Sequence, residues 1–378
     1  MKLHRPTRLL KLYIEPTNRC NLECRTCIRH SWNEPLGMMS EMVFDRVMDG
    51  LSTFSLRPTV SFGGFGEPLS HPKIVEMITR VKALGAPVEL ITNATLLTAD
   101  LSQKLVRTGI DVLWVSIDGA SPDSFADVRL GATLPQVLEN LAHFRDSLYT
   151  KFVISPCGVV PASPKTGLGI AFVAMKRNIA DLPAVLRLAQ RFEARHFLVT
   201  NVLPYTKEMC KEVLYNRTLS ETKPIPSLSM PLIDVMDSTR DPLYWAMQYG
   251  KTLTWAGSNL RSARDRCPFI ENGVGVIGWD GGFSPCLPLL HSHVGFVQDR
   301  ERFSRRWIVG NVTQESLSDI WNAPEHIAFR ERVRTFDFPP CTSCGGCEVS
   351  GSNEEDCFDN VFPTCGGCLW AQGVVQCP

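Results

Sequence analysis

The chain has 378 residues, 39 basic and 39 acidic, so its formal net charge is zero. That balance removes the electrostatic ground for a nucleic-acid or anionic-membrane surface. No apolar run approaches the ~20 residues of a membrane helix. Leu9-Leu10, behind a basic start, is too short for a signal-peptide core, so with 44% apolar residues the expectation is a cytoplasmic, core-forming protein of two or three domains.

Up to residue 204 the chain alternates short β-rich runs with helical patterns. Leu10, Leu12 and Ile14 alternate with Lys11, Tyr13 and Glu15, the period of two that predicts a strand. Phe44, Val47, Met48 and Leu51 follow at helical spacing and predict a helix over 40–51 capped by Ser40. A strand over 59–62 comes next. The following helix has Pro72 in its first turn, Ile74, Ile78 and Val81 facing inward, and Gly85 as its stop. Strands over 88–92, 112–117, 170–175 and 197–202 then alternate with helices over 98–108, 135–148 and 181–192. This alternation predicts right-handed crossovers and a parallel sheet. Six units are too few to close an eight-stranded barrel. The expected fold is therefore α/β, a partial (β/α)6 TIM-like barrel over 1–205, with ligands at the carboxyl ends of its strands.

Residues 156–169, rich in Pro, Gly and Ser, read as a surface loop. Residues 206–266 read as a connector with some helix, marked by Tyr244, Trp245, Tyr249 and Trp255. Over 267–378 the composition shifts to Cys, Gly and Pro. This predicts a small Cys-rich, cluster-binding C-terminal domain held by metal rather than by an apolar core, with one helix over 317–335.

The 14 cysteines are even in number and admit a secreted disulfide scaffold. Chain length, the missing signal peptide and clustering at two- and three-residue gaps favour metal ligation instead. Cys157 and Cys210 stand alone and read as packed free thiols. Cys20, Cys24 and Cys27 form a C-x3-C-x2-C immediately after the first predicted strand. Three thiolates can hold three irons of a [4Fe–4S] cube and leave the fourth open. The alternative is a Cys3His zinc site completed by His30.

The second predicted strand ends in Ser-Phe-Gly-Gly-Phe-Gly-Glu-Pro-Leu over 61–69. Gly64 and Gly66 allow the backbone to approach a ligand, and Glu67 can accept a hydrogen bond from an ammonium. Together with the preceding cysteines, this turn resembles the signature of radical S-adenosylmethionine (radical SAM) enzymes. The resemblance implies that the open iron chelates the amino and carboxylate groups of the methionyl moiety. Thr92-Asn93 ends the third strand as the family's Thr-Asn-Gly does, with Ala94 in the glycine's place. Ser116-Ile117-Asp118-Gly119 resembles the family's Ser-x-Asp-Gly. It implies that Ser116 and a following arginine, Arg129, hold the methionyl carboxylate, with Asp118 near the ribose and Asn178 a nucleoside contact. Read without the family, Asp-Gly is a common turn pair. Thr26 departs from the pattern, since that position is usually an aromatic that packs on the adenine.

Cys267 and Cys286 flank a strand–turn–strand pattern, with Gly281 four intervening residues before Cys286. Cys341, Cys344, Cys347, Cys357, Cys365, Cys368 and Cys377 follow. The layout resembles the SPASM extension of radical SAM maturases, which implies two auxiliary [4Fe–4S] clusters. The usual dense segment is C-x2-C-x5-C-x3-C; its first pair matches, and the rest does not align uniquely. Nine cysteines serve eight ligand positions, so at least one is spare. A pair of structural zinc ribbons is the alternative. The C-terminal run from Cys341 through Asn353, Cys357 and Trp370 to Cys377-Pro378, with residues 27–32, looks like the tungsten-cofactor oxidoreductase maturases.

The resemblance implies reductive cleavage of S-adenosylmethionine to a 5′-deoxyadenosyl radical, which abstracts hydrogen from a substrate. The implied partners are a low-potential donor such as ferredoxin or flavodoxin and a tungsten-dependent aldehyde oxidoreductase. The competing readings are peptide or protein modification, as in sulfatase or ribosomal-peptide maturases, and a non-catalytic multi-cluster electron carrier. Only about nine residues precede the first strand, and the expectation is that no leader-peptide-binding domain is fused there.

Overall fold

A computed structural model describes residues 8–149, 152–155, 158–161, 164–215, 237–249, 253–255, 267–297, 299–339, 341–342 and 348–378. Parallel strands β1 (Lys11–Ile14), β2 (Thr59–Phe62), β3 (Val88–Thr92) and β4 (Val112–Ser116) lie side by side in chain order. A hairpin, β5 (Phe152–Ser155) with β6 (Gly158–Pro161), then interrupts the series where the composition reads as loop. β7 (Gly167–Ala174) and β8 (His196–Asn201) complete the six expected strands. β9 (Leu253–Trp255) adds a seventh parallel strand, in the segment read as a connector. Three residues are too short to show a period, which is why the sequence hides it.

The intervening helices are α1 (Glu41–Thr53), α2 (Ile74–Ala83), α3 (Ala99–Thr108), α4 (Pro122–Val128), α5 (Leu134–Leu148) and α6 (Leu182–Arg191). Ser40 caps α1, its Oγ accepting from the Val43 N–H at 3.2 Å. Gly109 closes α3 at φ 77°, a conformation a side chain would strain. Pro72 lies ahead of α2 rather than inside its first turn. α4 was not legible, because seven residues with two buried side chains carry no clear helical period. Leu12, Ile14, Val60, Phe62, Leu90 and Phe172 are fully buried against Val47, Leu51, Ile78, Leu105 and Phe144 in one core. Each such side chain contributes roughly 1.5–3 kcal/mol by leaving water.

The C-terminal segment is less separate than its composition suggests. β10 (Val274–Ile277) pairs in parallel with β1 on the edge away from β2. β11 (Gly282–Ser284) returns antiparallel beside β10. β12 (His293–Val297) and β13 (Arg300–Ser304) make their own hairpin, and β14 (Gly310–Asn311) closes the edge on β11. The main sheet thus runs through ten strands, from β14 to β9, and its order is linear rather than closed.

The expectation of a domain held by metal alone is corrected. Phe269, Ile270, Val276, Leu290, Phe329, Val333, Leu369 and Val374 form an apolar core around Cys267, Cys286 and Cys365. They come from β10, from the helices Pro268–Glu271 and Pro324–Thr335 and from loops, segments too short and scattered for a shared core to show in the sequence. The helix over 317–335 is two helices, Leu317–Trp321 and Pro324–Thr335, because Pro324 can open a helix but not continue one. Among the described residues no helix is long and apolar enough to cross a membrane.

Candidate functional site

The three N-terminal cysteines lie on the loop that leaves β1 at its carboxyl end, Cys24 buried and Cys20 and Cys27 half-buried. Backbone bonds from Glu23 N to Leu130 O (3.1 Å) and from Arg25 N to Val128 O (3.0 Å) pin this loop beside the end of α4. Each thiol has a protein donor. Arg29 Nε is 3.4 Å from Cys27 Sγ, while Arg129 NH1 and Asn93 Nδ2 stand 3.8 Å from Cys24 and Cys20 Sγ. Burial pushes the Cys20 and Cys24 thiols up, and Arg129 opposes the rise at Cys24. Three soft sulfur ligands ringed by N–H donors and two guanidiniums suit an anionic iron–sulfur cluster. His30 does not complete a zinc site here, since its Nε2 faces the Cys24 carbonyl at 3.2 Å. Among the described residues no three His, Cys, Asp or Glu side chains converge on a single metal-ion position.

The turn after β2 binds the cluster loop to β3. Glu67 N donates to Arg19 O at 2.8 Å. The Glu67 carboxylate, 2% exposed, accepts from Leu69 N (2.9 Å) and Thr92 Oγ1 (2.7 Å) on one oxygen and from Asn93 N (2.8 Å) on the other. Burial raises its pKa and these donors hold it down. Three of about four acceptor positions are filled, leaving one on Oε2. The glycines approach the chain itself. A Cβ on Gly66 would lie 2.0 Å from Thr17 O, and one on Gly64, at φ 144°, would lie 2.7 Å from the Glu15 side chain. Asn93 also donates to Asn21 Oδ1 at 3.0 Å, so the β3 end grips the cysteine loop. Ala94 takes φ 60°, the left-handed geometry that explains a glycine at this place in the family pattern.

The ends of β4 and β7 form a second layer. Asp118 is fully buried; its Oδ2 accepts from Arg129 Nε at 2.6 Å and NH2 at 2.5 Å, and its Oδ1 from Val173 N at 2.7 Å. The carboxylate implied to lie near a ribose also aims Arg129 at Cys24. Burial disfavours the Arg129 charge, yet Asp118 and Cys24 outweigh it and raise the pKa. Asn178, implied as a nucleoside contact, has both ends of its amide on backbone. Its Oδ1 accepts from Met175 N (2.8 Å), and its Nδ2 donates to Asp118 O (3.0 Å) and Val173 O (2.9 Å). Ser116 stands half-buried at the end of β4.

Four C-terminal cysteines share a cavity. Cys267, Cys286, Cys365 and Cys368 line one cavity together with Arg302. Burial pushes the Cys267 thiol up to about 12, and the charge of Cys368 adds to it. Cys286 and Cys365 are likewise raised, by burial and then by the other members of the set. Thiols crowded this way become stable ligands once a metal centre takes their protons. The Cys377 thiol is pushed up to about 11 by burial, against Trp370 and Lys11, and among the described residues no cysteine acts on it. Cys357 is exposed, and Cys341 is buried. Cys344, Cys347 and the lone Cys157 lie outside the described residues. Cys210 donates to Thr206 O at 3.4 Å, as a packed free thiol does.

Sequence reasoning missed Arg29 and a buried ionic triad at the seam of the two halves. His291 Nε2 meets Glu15 Oε2 at 2.8 Å, and its Nδ1 meets Glu34 Oε2 at 2.5 Å. Glu15 Oε1 accepts from Phe65 N at 2.9 Å, so His291 reaches the glycine turn through one carboxylate. Trp32 packs on the imidazole at 4.3 Å between ring centroids. Burial disfavours the imidazolium, but bonds to the two carboxylates overcome it and push the pKa up to about 9. The available signal was Glu15 itself, a charge at the end of a strand read as core.

Comparison with known proteins fits this arrangement. Residues 14–159 match the family model described as the radical SAM superfamily, and residues 267–348 match SPASM, an iron–sulfur cluster-binding domain. A Pyrococcus furiosus protein described as a tungsten-containing aldehyde ferredoxin oxidoreductase cofactor-modifying protein is 30% identical over 374 residues, covering 97% of this chain and 96% of that protein. The mycofactocin maturase MftC of Mycobacterium tuberculosis is 26% identical over 88% of this chain and 74% of its own length. Among solved structures, anSMEcpe with bound AdoMet superposes with a TM-score of 0.59 at 18% identity, over 97% of this chain and 93% of that one. Streptococcus suis SuiB bound to precursor peptide SuiA gives 0.58 at 15% identity, over 91% and 72%. These two likenesses concern the fold.

Proposed function

Since the chain belongs to the radical SAM superfamily and carries a SPASM iron–sulfur domain, we propose that it is a maturase acting on the cofactor of a tungsten-containing oxidoreductase. The observation that carries this reading is the end-to-end likeness to the Pyrococcus furiosus cofactor-modifying protein, at 30% identity over 97% of the chain. Cys20, Cys24 and Cys27 would hold the core [4Fe–4S] cluster. The cluster and S-adenosylmethionine, when bound, supply a 5′-deoxyadenosyl radical for hydrogen abstraction.

The protein's part is positioning and exclusion of water. Arg29, Arg129 and Asn93 place N–H donors on the three sulfurs. Glu67 offers its remaining acceptor position to the methionyl ammonium, and Ser116 and Arg129 face the methionyl carboxylate. Gly64 and Gly66 seat the turn that carries Glu67, while Asp118 and Asn178 fix β4 against β7. In the C-terminal domain Cys267, Cys286, Cys365 and Cys368 are assigned to one auxiliary cluster. Of the five that remain, Cys341, Cys344, Cys347 and Cys357 are assigned to a second, and Cys377, on which no cysteine acts among the described residues, is the spare thiol. A low-potential donor of the ferredoxin or flavodoxin class supplies the electron.

The second reading is peptide modification, favoured by the 26% identity to a mycofactocin maturase. The test adds the tungsten-pterin cofactor, free or within its oxidoreductase, to reduced, iron-loaded protein and follows the cofactor by mass spectrometry. A changed cofactor mass with stoichiometric 5′-deoxyadenosine is the expected result. An unchanged cofactor, with deoxyadenosine release indifferent to it, overturns the tungsten reading.

A further inference from the structure

We propose that Arg302 sets the reduction potential of the cluster held by Cys267, Cys286, Cys365 and Cys368, an inference that rests on the ligand assignment above. Arg302 projects from β13 into the apolar core of the C-terminal domain and is 6% exposed. Its NH1 donates to Ser350 O at 2.5 Å. Among the described residues no carboxylate lies within ion-pair distance of it. The negative groups that act on it are the sulfurs of Cys341, Cys368 and Cys365. A buried guanidinium without a carboxylate is costly, so its presence calls for anionic compensation from elsewhere. An iron–sulfur cluster with thiolate ligands supplies that.

The loop between two of the ligands is shaped to receive it. A Cβ on Gly367 would stand 2.8 Å from Arg302 Cζ and 2.9 Å from both Nε and NH1. Near-equal distances to three atoms of the plane mean that the guanidinium lies flat on the bare Cα between Cys365 and Cys368. Any side chain at 367 would displace it. On the neighbouring residue, a Cβ at Gly366 would come 3.3 Å from Cys341 Sγ. The Cys365-Gly-Gly-Cys368 loop therefore carries a fixed cation against one glycine and a cysteine of the other cluster group against the next.

Reducing a cluster adds one negative charge. A neighbouring cation in a dry interior stabilises the reduced state more than the oxidised one, which raises the potential. Arg302 thus makes this cluster the better electron acceptor, and its place beside Cys341 puts the same charge at the junction with the second group.

The experiment is an anaerobic redox titration followed by electron paramagnetic resonance on the full-length chain. Cys20, Cys24 and Cys27 are replaced by Ala to remove the core signal, and the relevant auxiliary signal is identified by its loss in Cys286→Ala. Arg302→Gln is expected to lower the reduced-to-oxidised ratio at fixed potential at least tenfold, a shift of about 59 mV for one electron. Arg302→Lys, which keeps the charge, restores most of the potential. Gly367→Ala, which keeps the arginine but displaces it, shifts the potential in the same direction as Arg302→Gln. If Arg302→Gln loads poorly, the Lys and Gly367 variants decide. A loaded Arg302→Gln or Gly367→Ala cluster with wild-type potential overturns the proposal. A signal and iron content unchanged by Cys286→Ala instead overturns the ligand assignment.

Discussion

Replacing His291 by Leu removes the cation that bridges buried Glu15, at 0% side-chain exposure, and half-buried Glu34, at 14%; Glu34 keeps Arg306 at 3.7 Å. The rise of the imidazole pKa from 6.5 to about 9 corresponds to about 3 kcal/mol of preference for the charged ring in the folded state. Because the folded value lies above the unfolded one, this stabilisation is complete below pH ~6.5 and disappears as the pH climbs through about 9. Leaving Glu15 buried without its cation gives a similar figure, roughly 3–5 kcal/mol for breaking a buried pair. With a urea dependence of about 3 kcal/mol per molar, the midpoint of His291→Leu should fall by about 1 M at pH 7. The gap should narrow between pH 8 and 10, as the wild-type ring loses its proton. Adding Glu15→Gln to His291→Leu should recover part of the loss. Urea titrations of the reconstituted protein across this pH range measure all three effects. A midpoint equal to wild type, or a gap that stays constant from pH 7 to 10, refutes the triad's role.

Two further outcomes follow from the site. Gly66→Ala drives a methyl into the Thr17 and Arg19 carbonyls, backbone that cannot step aside, and costs roughly 1–3 kcal/mol; core-cluster iron and S-adenosylmethionine affinity should both drop, and a fully loaded, wild-type-like variant contradicts this. Cys286→Ala should lose about four irons per chain, whereas Cys377→Ala should lose none; an iron analysis in which Cys377→Ala is depleted would reassign the spare thiol.

Much of the core was legible because its elements carry strong periods. Ser40, Thr98 and Gly109 sit where the cap rules place them, and the six parallel strands fall within a few residues of their predicted spans. The site residues were readable as types at spacings, and Cys20, Cys24, Glu67, Asn93 and Arg129 do come together. Their division of labour was not readable. Asp118 and Asn178 read as ligand contacts in sequence, and only three dimensions show the protein bonds they also make, to Arg129 and to backbone. The partition of the C-terminal cysteines was equally hidden, since Cys267 meets Cys368 across about a hundred residues with no local pattern linking them. β10 pairing with β1 belongs to the same class, a contact between distant segments that each look complete alone.

The most direct test of the account is 5′-deoxyadenosine release from anaerobically reconstituted, reduced protein, measured beside Cys24→Ala with iron counted in both. Product is expected from the wild type and none from Cys24→Ala, while the C-terminal clusters stay loaded. Product from Cys24→Ala at the wild-type rate, or none from fully iron-loaded wild type, would contradict it.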